Sequence, residues 1–199
     1  MPSVPARLAA VLVALVVPAC SSTTGDHSAS SRPSDQPLVT QQPAGYNSDD
    51  VAFATTMIPH HRQAIEMAAL VPDRTDNAAV KKLAADIAAT QQPEINILNV
   101  FLVQWNENPD TDTGTGHGGH GQMQGMVDDA TMARLKSLSG AEFDTLWLES
   151  MIEHHRGAVE MAKAELANGE NVDAKRMAND IVTTQEAEIG QMKQMLGGG

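Results

Sequence analysis

Cysteine and aromatic residues are nearly absent from this sequence. Cys20 is the single cysteine among 199 residues, and the aromatic residues are two Trp, one Tyr and three Phe. One cysteine excludes a disulfide within the chain, and it excludes structural zinc sites built from several cysteines. With so few aromatic side chains, the core has to be built from Leu, Ile, Val, Ala and some of the 11 Met.

Positive charge is also scarce. The chain has 13 Lys and Arg against 25 Asp and Glu, a formal net charge of -12, and its basic residues form no cluster. Nucleic acids and anionic lipid surfaces are recognised by basic patches, so both are poor partners for this chain. The sequence therefore predicts no binding to nucleic acid, and its charge favours a metal ion as partner.

Long apolar runs are limited to residues 8–17, which follow Arg7. This run is too short to span a bilayer and is typical of a secretory signal peptide, here predicted over residues 1–19. The sequence VVPAC resembles a bacterial lipoprotein lipobox, apart from Pro18, and predicts lipid on Cys20. The alternative is ordinary secretory cleavage, which leaves a free thiol. Lipidation predicts an extracytoplasmic protein that contacts the cell membrane through its lipid anchor only.

Residues 20–45 are rich in Ser, Thr, Pro and Gln, and they offer little that a core could bury. Such a composition predicts a solvated, flexible tether behind the lipidated cysteine. The roughly 150 residues that follow are enough for one domain with a core of its own.

The domain contains an internal repeat. Shifting the sequence by 94 positions aligns residues 53–102 with residues 147–196 without a gap, and 19 of the 50 aligned residues are identical. The identities fall into two blocks: MIPHHRQAIEMA matches MIEHHRGAVEMA, and DIAATQQPEI matches DIVTTQEAEI. Such self-similarity indicates duplication of one supersecondary unit.

Both blocks of each repeat have helical periodicity, with apolar residues at three- and four-residue steps. Breaks at VPDRTD and ANGEN divide each repeat into two helices with a short connection, which makes them antiparallel neighbours. We therefore predict an all-α fold, a four-helix bundle built from a duplicated antiparallel helical hairpin. The first hairpin is predicted over residues 46–105 and the second over 130–199, in one domain. Residues 106–129, rich in Gly, His and Met, are predicted to form a disordered linker between them.

Local sequence signals mark two of the helix starts. Asn47 or Ser48 is expected to cap the first helix. Ser139 followed by Glu142 has the pattern of a capping box, in which each residue bonds the backbone N–H of the other, at the start of the third.

Histidine and methionine recur at matched positions in the two repeats. Residues three, four and seven apart lie on one face of a helix, which brings each His pair and its methionines into one sector. We predict that these residues bind metal: Met57, His60, His61 and Met67 in the first repeat, and Met151, His154, His155 and Met161 in the second. The linker has no core to fill, so its regularly spaced residues are predicted as further ligands: His117, His120, Met123 and Met126.

Each of these sets has a structural alternative. The histidines could form a polar layer in the core, the methionines could fill the core, and the linker could be a solvated low-complexity segment. Four imidazoles buried in identical contexts favour a metal, because burial costs free energy unless every polar group is satisfied. Acidic residues in the second block of each repeat are then expected to orient the imidazoles: Asp86, Glu94, Asp180 and Glu188.

The residue types also indicate which metal binds. Ferritin-like di-iron bundles carry a Glu-x-x-His motif, whereas here Met57 precedes His60 by three residues and Met151 precedes His154. Thioether and imidazole without thiolate suit copper(I), while iron favours carboxylate and structural zinc favours cysteine. Copper(I) is therefore the predicted metal, ahead of iron and zinc.

The two Met-x-x-His-His-Arg motifs, each with a trailing Glu-Met-Ala, resemble the family named domain of unknown function 305. The resemblance extends over residues 46–196, essentially the whole predicted domain. It implies a ferritin-like four-helix bundle that is often exported, and copper or silver binding at the His and Met positions named above, since some members are associated with copper tolerance. It implies no established reaction.

Three functions are compatible with these patterns. The first, which we favour, is a membrane-tethered protein that binds copper(I) for buffering, sequestration or transfer at the cell surface, with a copper-handling protein as a further partner. The second is a ferritin-like metalloenzyme that acts on peroxide or metal ions, with His60, His154 and the four acidic residues around the metal. The third is an interaction module whose histidines are structural.

Overall fold

The structure, a computed structural model, describes residues 45–107 and 124–197. The predicted signal peptide, the tether up to residue 44 and most of the linker ligands lie outside these ranges, and with them Cys20, His117, His120 and Met123. In the described part of the chain, no helix is both long and apolar enough to cross a membrane.

Four long helices form two antiparallel hairpins. The elements in chain order are α1 (Ser48–Leu70), a 3-10 turn (Val71–Asp73), α2 (Ala78–Gln104), α3 (Asp129–Ser137), α4 (Gly140–Asn168) and α5 (Val172–Gly197). Helices α1 and α2 pack along each other, as do α4 and α5, and the two hairpins meet mainly through α1 and α4. The predicted all-α four-helix bundle of two hairpins is confirmed.

The short helix α3 was not predicted. Asp128 caps it by accepting the backbone N–H of Thr131, and Met132 and Leu135 bury its inner face in the core. Nine residues with only two buried apolar positions give too weak a periodic signal to stand out beside a glycine-rich segment.

The starts of α1 and α4 differ, although the sequence predicts a side-chain cap at both. The Asn47 side chain accepts backbone N–H groups of the first turn of α1, and Asp50 accepts the backbone N–H of Asn47 at 2.6 Å. Ser139 occupies the cap position of α4, but its side chain makes no capping hydrogen bond, so the predicted capping box is wrong. The N–H of Gly140 donates instead to the carbonyl of Arg74, between α1 and α2, at 2.7 Å.

The apolar core consists of two clusters. Along α1 the boundary between them falls after Ile58 and before Ala64, and along α4 it falls after Ile152 and before Ala158. Both helices run through both clusters in opposite directions, because they are antiparallel. Equivalent residues of the two repeats therefore lie in opposite clusters, as an approximate two-fold axis between the hairpins requires.

A layer of buried polar side chains separates the two clusters. All four long helices contribute to it, and we refer to these residues as the polar layer: His60, His61, Gln91, His154, His155 and Gln185. The fold thus places the doubled His-His motifs at one level in the middle of the bundle.

Candidate metal centre

Helices α1 and α4 bring the four histidines together in the core. His60, His61, His154 and His155 are each 0% exposed to solvent. The rings of His60 and His154 face each other across the helix interface, with centroids 3.8 Å apart and planes inclined by 35°. The ring centroids of His154 and His155 are 6.3 Å apart. The two repeats therefore build one shared histidine cluster rather than two distant ones.

A carboxylate holds one member of each His pair. His61 Nε2 lies 2.8 Å from Glu94 Oε2, and His155 Nε2 lies 2.8 Å from Glu188 Oε2. A carboxylate accepts hydrogen bonds, so Nε2 carries the proton and donates, which leaves a lone pair on Nδ1. Metal-ligating imidazoles are commonly oriented in this way. This is the geometry that the sequence predicts for Glu94 and Glu188.

The remaining six ring nitrogens of the cluster have no ordinary hydrogen-bond partner among the described residues. They are both nitrogens of His60, both of His154, and the Nδ1 atoms of His61 and His155. Buried polar groups in proteins are nearly always bonded, and leaving one unsatisfied costs about 1–3 kcal/mol. Each neutral ring carries one N–H, so four of these six atoms have lone pairs, and their matched pattern across the two repeats indicates a site for a ligand that accepts lone pairs.

Burial keeps the facing imidazoles of His60 and His154 neutral. Loss of solvation, followed by the neighbouring His61 and His155, lowers the pKa of His60 to about 3, and the nearby backbone of Gln124 opposes this only in part. Loss of solvation, with smaller contributions from the other three histidines, also lowers the pKa of His154 well below its ordinary value. Since neutral imidazole is the form that binds metals, these lone pairs are available at neutral pH.

The methionines that precede each His pair lie on opposite faces of the polar layer. Met57 belongs to one apolar cluster and Met151 to the other, and both are fully buried. Each stands three residues before a histidine of the layer, about 4.5 Å along the helix axis. The polar layer is therefore followed by a buried methionine on each of its two faces.

The methionines that follow each His pair lie further out. Seven residues separate Met67 from His60 and Met161 from His154, which is about 10 Å along a helix. Two turns of helix therefore place Met67 and Met161 further from the polar layer than Met57 and Met151, and their ligand role stays a prediction. Each His pair and its methionines share one face of their helix, but Met67 and Met161 lie at a different height along the helix axis.

The acidic residues of each repeat separate into two kinds. Glu94 and Glu188 contact histidines, whereas Asp86 and Asp180 are exposed, and Asp86 pairs with Lys82 one turn before it. Eight residues, about 12 Å of helix, separate Asp86 from Glu94 and Asp180 from Glu188. The predicted role in orienting the imidazoles is therefore wrong for Asp86 and Asp180.

Two glutamines of the polar layer escaped sequence analysis. Gln91 is 2% exposed and Gln185 is 3% exposed. Both amide atoms of Gln91 and the Oε1 atom of Gln185 lack a hydrogen-bond partner in the described part of the chain. Their signal was readable, because each stands midway between two isoleucines of an apolar stripe: Ile87, Gln91 and Ile95 on α2, and Ile181, Gln185 and Ile189 on α5.

Residue classes limit the kind of metal centre that the layer can form. Within residues 45–107 and 124–197, no three His, Cys, Asp or Glu side chains are arranged so that they could hold one ion. A centre in the polar layer would therefore combine few imidazoles with thioether sulfur, a ligand set that suits copper(I). Of the predicted linker ligands, Met126 lies in the described residues, where it is partly buried.

Comparison with known proteins finds relatives of the same fold. The family described as Domain of unknown function (DUF305) matches residues 50–196. A DUF305 protein from Streptomyces coelicolor is 37% identical with a TM-score of 0.66, over 75% of this chain and 93% of that one. CopM in a Cu(II)-bound form is 34% identical with a TM-score of 0.64, over 73% of this chain and 94% of its own. CopM structures in Cu(I)-bound and Ag-bound forms match with TM-scores of 0.63 and 0.62.

A shorter match links the chain to an uncharacterized protein of Acanthamoeba polyphaga mimivirus. The two are 44% identical over 54 residues, which is 27% of this chain and 36% of the viral protein. The family match, by contrast, spans all four long helices apart from their outermost residues. The chain belongs to the DUF305 family.

Proposed function

We propose that this protein binds copper(I) in the polar layer and buffers, sequesters or transfers copper outside the cytoplasm. The observation that supports it most strongly is the set of six buried ring nitrogens without ordinary hydrogen-bond partners in the described residues. Four of these nitrogens carry lone pairs when the rings are neutral, and an ion that accepts them removes part of an unfavourable free energy that the bundle otherwise bears.

The ligands of this site are proposed to be imidazoles drawn from the four histidines, His60, His61, His154 and His155, together with the thioethers of Met57 and Met151. His60 and His154 present neutral rings between α1 and α4, and Met57 and Met151 add sulfur on the two faces of the layer. The soft ligand set favours copper(I) over iron(II) and zinc(II). A relative in the same family, CopM, has been solved with Cu(II), Cu(I) and Ag bound, which supports the choice of metal.

The carboxylates and the apolar clusters support the site without touching the ion. Glu94 and Glu188 fix the orientation of His61 and His155 through their Nε2 atoms. The apolar clusters on both sides exclude water, which keeps the imidazoles neutral and the thioethers in place.

The location of the protein is part of this proposal. The apolar segment, the VVPAC sequence and the polar tether support export and lipidation at Cys20, and the Streptomyces coelicolor relative is named as a presumed secreted protein. Intact-mass measurement of protein extracted in detergent is expected to show loss of residues 1–19 and added acyl mass. A soluble product with a free thiol would remove the lipid anchor but not the copper site.

The His and Met residues of the linker are proposed as a weaker, second copper site. His117, His120, Met123 and Met126 would give a separate phase in a copper titration that survives loss of the histidines in the bundle. Deleting residues 117–123 is expected to remove this phase only.

Anaerobic titration with copper(I) against a competing chelator tests the proposed site. We expect copper(I) and silver(I) to bind far more tightly than iron(II) or zinc(II). Replacing Met57 and Met151 by Leu should weaken copper binding strongly, while the stability cost stays under about 1.5 kcal/mol because volume is conserved. Met192→Leu is the matched control: Met192 is also fully buried, and its equivalent in the first repeat is Leu98. Unchanged copper affinity in the double variant would show that these methionines only fill the core.

The metalloenzyme alternative predicts carboxylates around a redox metal. Glu94 and Glu188 bond to histidines, and Asp86 and Asp180 are exposed, so the geometry favours a binding protein. Turnover of peroxide or oxygen by protein loaded with iron or copper would reverse this preference.

A further inference from the structure

A short segment crosses from α4 to α1 beside the polar layer. We call residues 124–127, the described part of the predicted linker before Asp128, the strap. At its α1 end the Gln63 side chain bonds Val127 twice: Nε2 donates to the Val127 carbonyl and Oε1 accepts the Val127 N–H, both at 2.8 Å. The side-chain amide of Gln63 thus bonds both backbone groups of Val127 and fixes this end of the strap.

At its α4 end the strap lies directly on the helix backbone. A Cβ atom at Gly157 would lie 2.0 Å from the Gln124 carbonyl oxygen. Gly125 has a φ of +85°, and a Cβ there would lie 2.8 Å from the Glu153 carbonyl oxygen and 2.9 Å from that of His154. Only glycine at both positions permits this approach.

The two anchor points are equivalent positions of the internal repeat. Gln63 follows His60 by three residues, and Gly157 follows His154 by three. Because α1 and α4 run antiparallel, a segment that joins Gln63 to Gly157 crosses the polar layer diagonally. One repeat carries a side chain that binds the strap, and the other has a glycine that makes room for it.

The strap covers His60 and His154. The backbone of Gln124 is close enough to the His60 ring to affect its pKa, and Gly125 packs on the carbonyl of His154. Gln124 itself is exposed on the outer side, while both histidines beneath it are fully buried. The strap therefore separates His60 and His154 from solvent on this side of the bundle, and the apolar clusters close the two faces of the layer.

We propose that the strap is a removable cover that controls access to the histidine cluster, with Gln63 and Gly157 as the residues that hold it closed. As a route for copper, this rests on the function proposed above. Few bonds hold the strap, so local opening is expected to be far easier than unfolding of the bundle. Opening would expose His60 and His154 to an incoming ion without separating α1 from α4.

Two variants loosen the strap by different means. Gln63→Leu removes both bonds to Val127, and Gly157→Ala forces the Gln124 carbonyl away from α4. The bundle should stay folded, since alanine favours a helix more than glycine does. Matched controls are Gln92→Leu, an exposed glutamine on α2, and Gly190→Ala, where a Cβ meets nothing within 4 Å.

The first measurement needs no metal. Diethyl pyrocarbonate modifies neutral, accessible imidazoles, and peptide mass spectrometry reports the rate at His60 and His154. Losing two hydrogen bonds should raise the open fraction, and with it this rate, about tenfold or more in Gln63→Leu, with a similar rise in Gly157→Ala. Both controls should react at the rate of the unmodified sequence. Equal rates in all five proteins would overturn the proposal.

The second measurement is the rate of copper(I) association in stopped flow. It should rise in Gln63→Leu and Gly157→Ala and stay unchanged in the two controls. If histidine modification accelerates but copper association does not, the strap is a cover without being the route for copper, and the proposal of access control is wrong. If no protein binds copper, the proposed function and the copper route both fail, while the modification rates still decide whether the strap covers the histidines.

Discussion

The two repeats are alike in the polar layer and different where they contact the rest of the chain. In both, an adjacent His pair, a buried glutamine and a glutamate recur in register, and both imidazole–carboxylate contacts measure 2.8 Å. Outside the layer, Gln63 corresponds to Gly157, and Val71 corresponds to Glu165. The comparison teaches that the repeats match where both build one polar layer, and differ where a feature such as the strap occurs once and needs a different residue from each repeat.

The two ends of the bundle show the same divergence. Asp50 of α1 is fully buried and accepts the backbone N–H of Asn171, before α5, at 2.9 Å. Glu165 lies beside Asp50 and is only 1% exposed. At the other end, Asp144 is the equivalent of Asp50, and the apolar Val71 takes the position of Glu165. One end therefore buries a pair of carboxyl groups that the other end lacks.

The largest expected effect on copper(I) binding comes from removing the facing imidazoles of His60 and His154. Replacing His60 and His154 together by Leu should abolish high-affinity copper(I) binding. The same change should stabilise the metal-free protein by about 1–3 kcal/mol, because it removes buried nitrogens without ordinary hydrogen-bond partners. Copper titration and urea unfolding of metal-free protein measure the two effects.

A matched change at His61 and His155, the histidines that contact carboxylates, sharpens this prediction. Replacing His61 and His155 by Leu removes the partners of Glu94 and Glu188, so it should lower stability rather than raise it. If both double variants lose stability alike, His60 and His154 stabilise the fold, and their proposed role as ligands loses its main support.

The next effect concerns the carboxylates that orient the imidazoles. Glu94→Ala and Glu188→Ala should each weaken copper(I) binding about 10–100-fold, as loss of such outer contacts does in other metal sites. Because the two contacts are equivalent, the two losses should be equal within error in a competition titration. A loss confined to one repeat would show that the copper site is not shared.

The stability of the protein should depend on pH through Glu165, which lies at only one end of the bundle. Burial, followed by the neighbouring Asp50, raises the pKa of Glu165 from 4.5 to about 8; Asp49 adds to this and Lys175 opposes it. The folded protein therefore holds a proton on Glu165 that the unfolded chain has lost, and its stability falls as pH rises from about 4.5 to about 8. Glu165→Val, which copies the other end, should remove this fall.

Thermal unfolding at several pH values measures this difference. The lowered pKa values of His60 and His154 act in the opposite sense: below about 6.5 the unfolded chain gains protons that the folded one does not, and stability falls. This contribution is present in both proteins and cancels between them. A difference in melting temperature between Glu165→Val and the unmodified sequence that does not change from pH 5 to pH 8 would contradict the protonated pair.

The smallest expected effect compares the starts of α1 and α4. Asn47→Ala should cost about 1 kcal/mol, because it removes a side-chain cap. Ser139→Ala should change stability by less than about 0.5 kcal/mol, since the Ser139 side chain makes no capping bond. Chemical denaturation of the two variants, with equal slopes, checks both values. An equal cost at both positions would contradict the described caps.

Periodicity and the repeat predicted the four helices and the hairpins, and placed each His pair on one face of its helix, because each of these depends on residues close together in sequence. They also predicted Glu94 and Glu188 as partners of histidines. They failed for Asp86 and Asp180, because a helical wheel shows the direction of a side chain but not its height along the bundle. Eight residues of helix place these aspartates beyond the layer.

Contacts between residues far apart in the chain could not be predicted from the sequence. The bonds between Gln63 and Val127 join positions 64 residues apart, and the divergence between Gln63 and Gly157 carries no periodic signal. Gln91 and Gln185 were within reach, because a polar residue repeated in an apolar stripe marks a buried polar site.

Anomalous diffraction at the copper edge from crystals grown anaerobically with copper(I) tests the central claim most directly. We predict a peak inside the polar layer, between α1 and α4, within about 2.0–2.3 Å of imidazole nitrogen and with a sulfur of Met57 or Met151 as a further ligand. Copper found only at surface or linker residues, with the four buried histidines unchanged, would contradict the account.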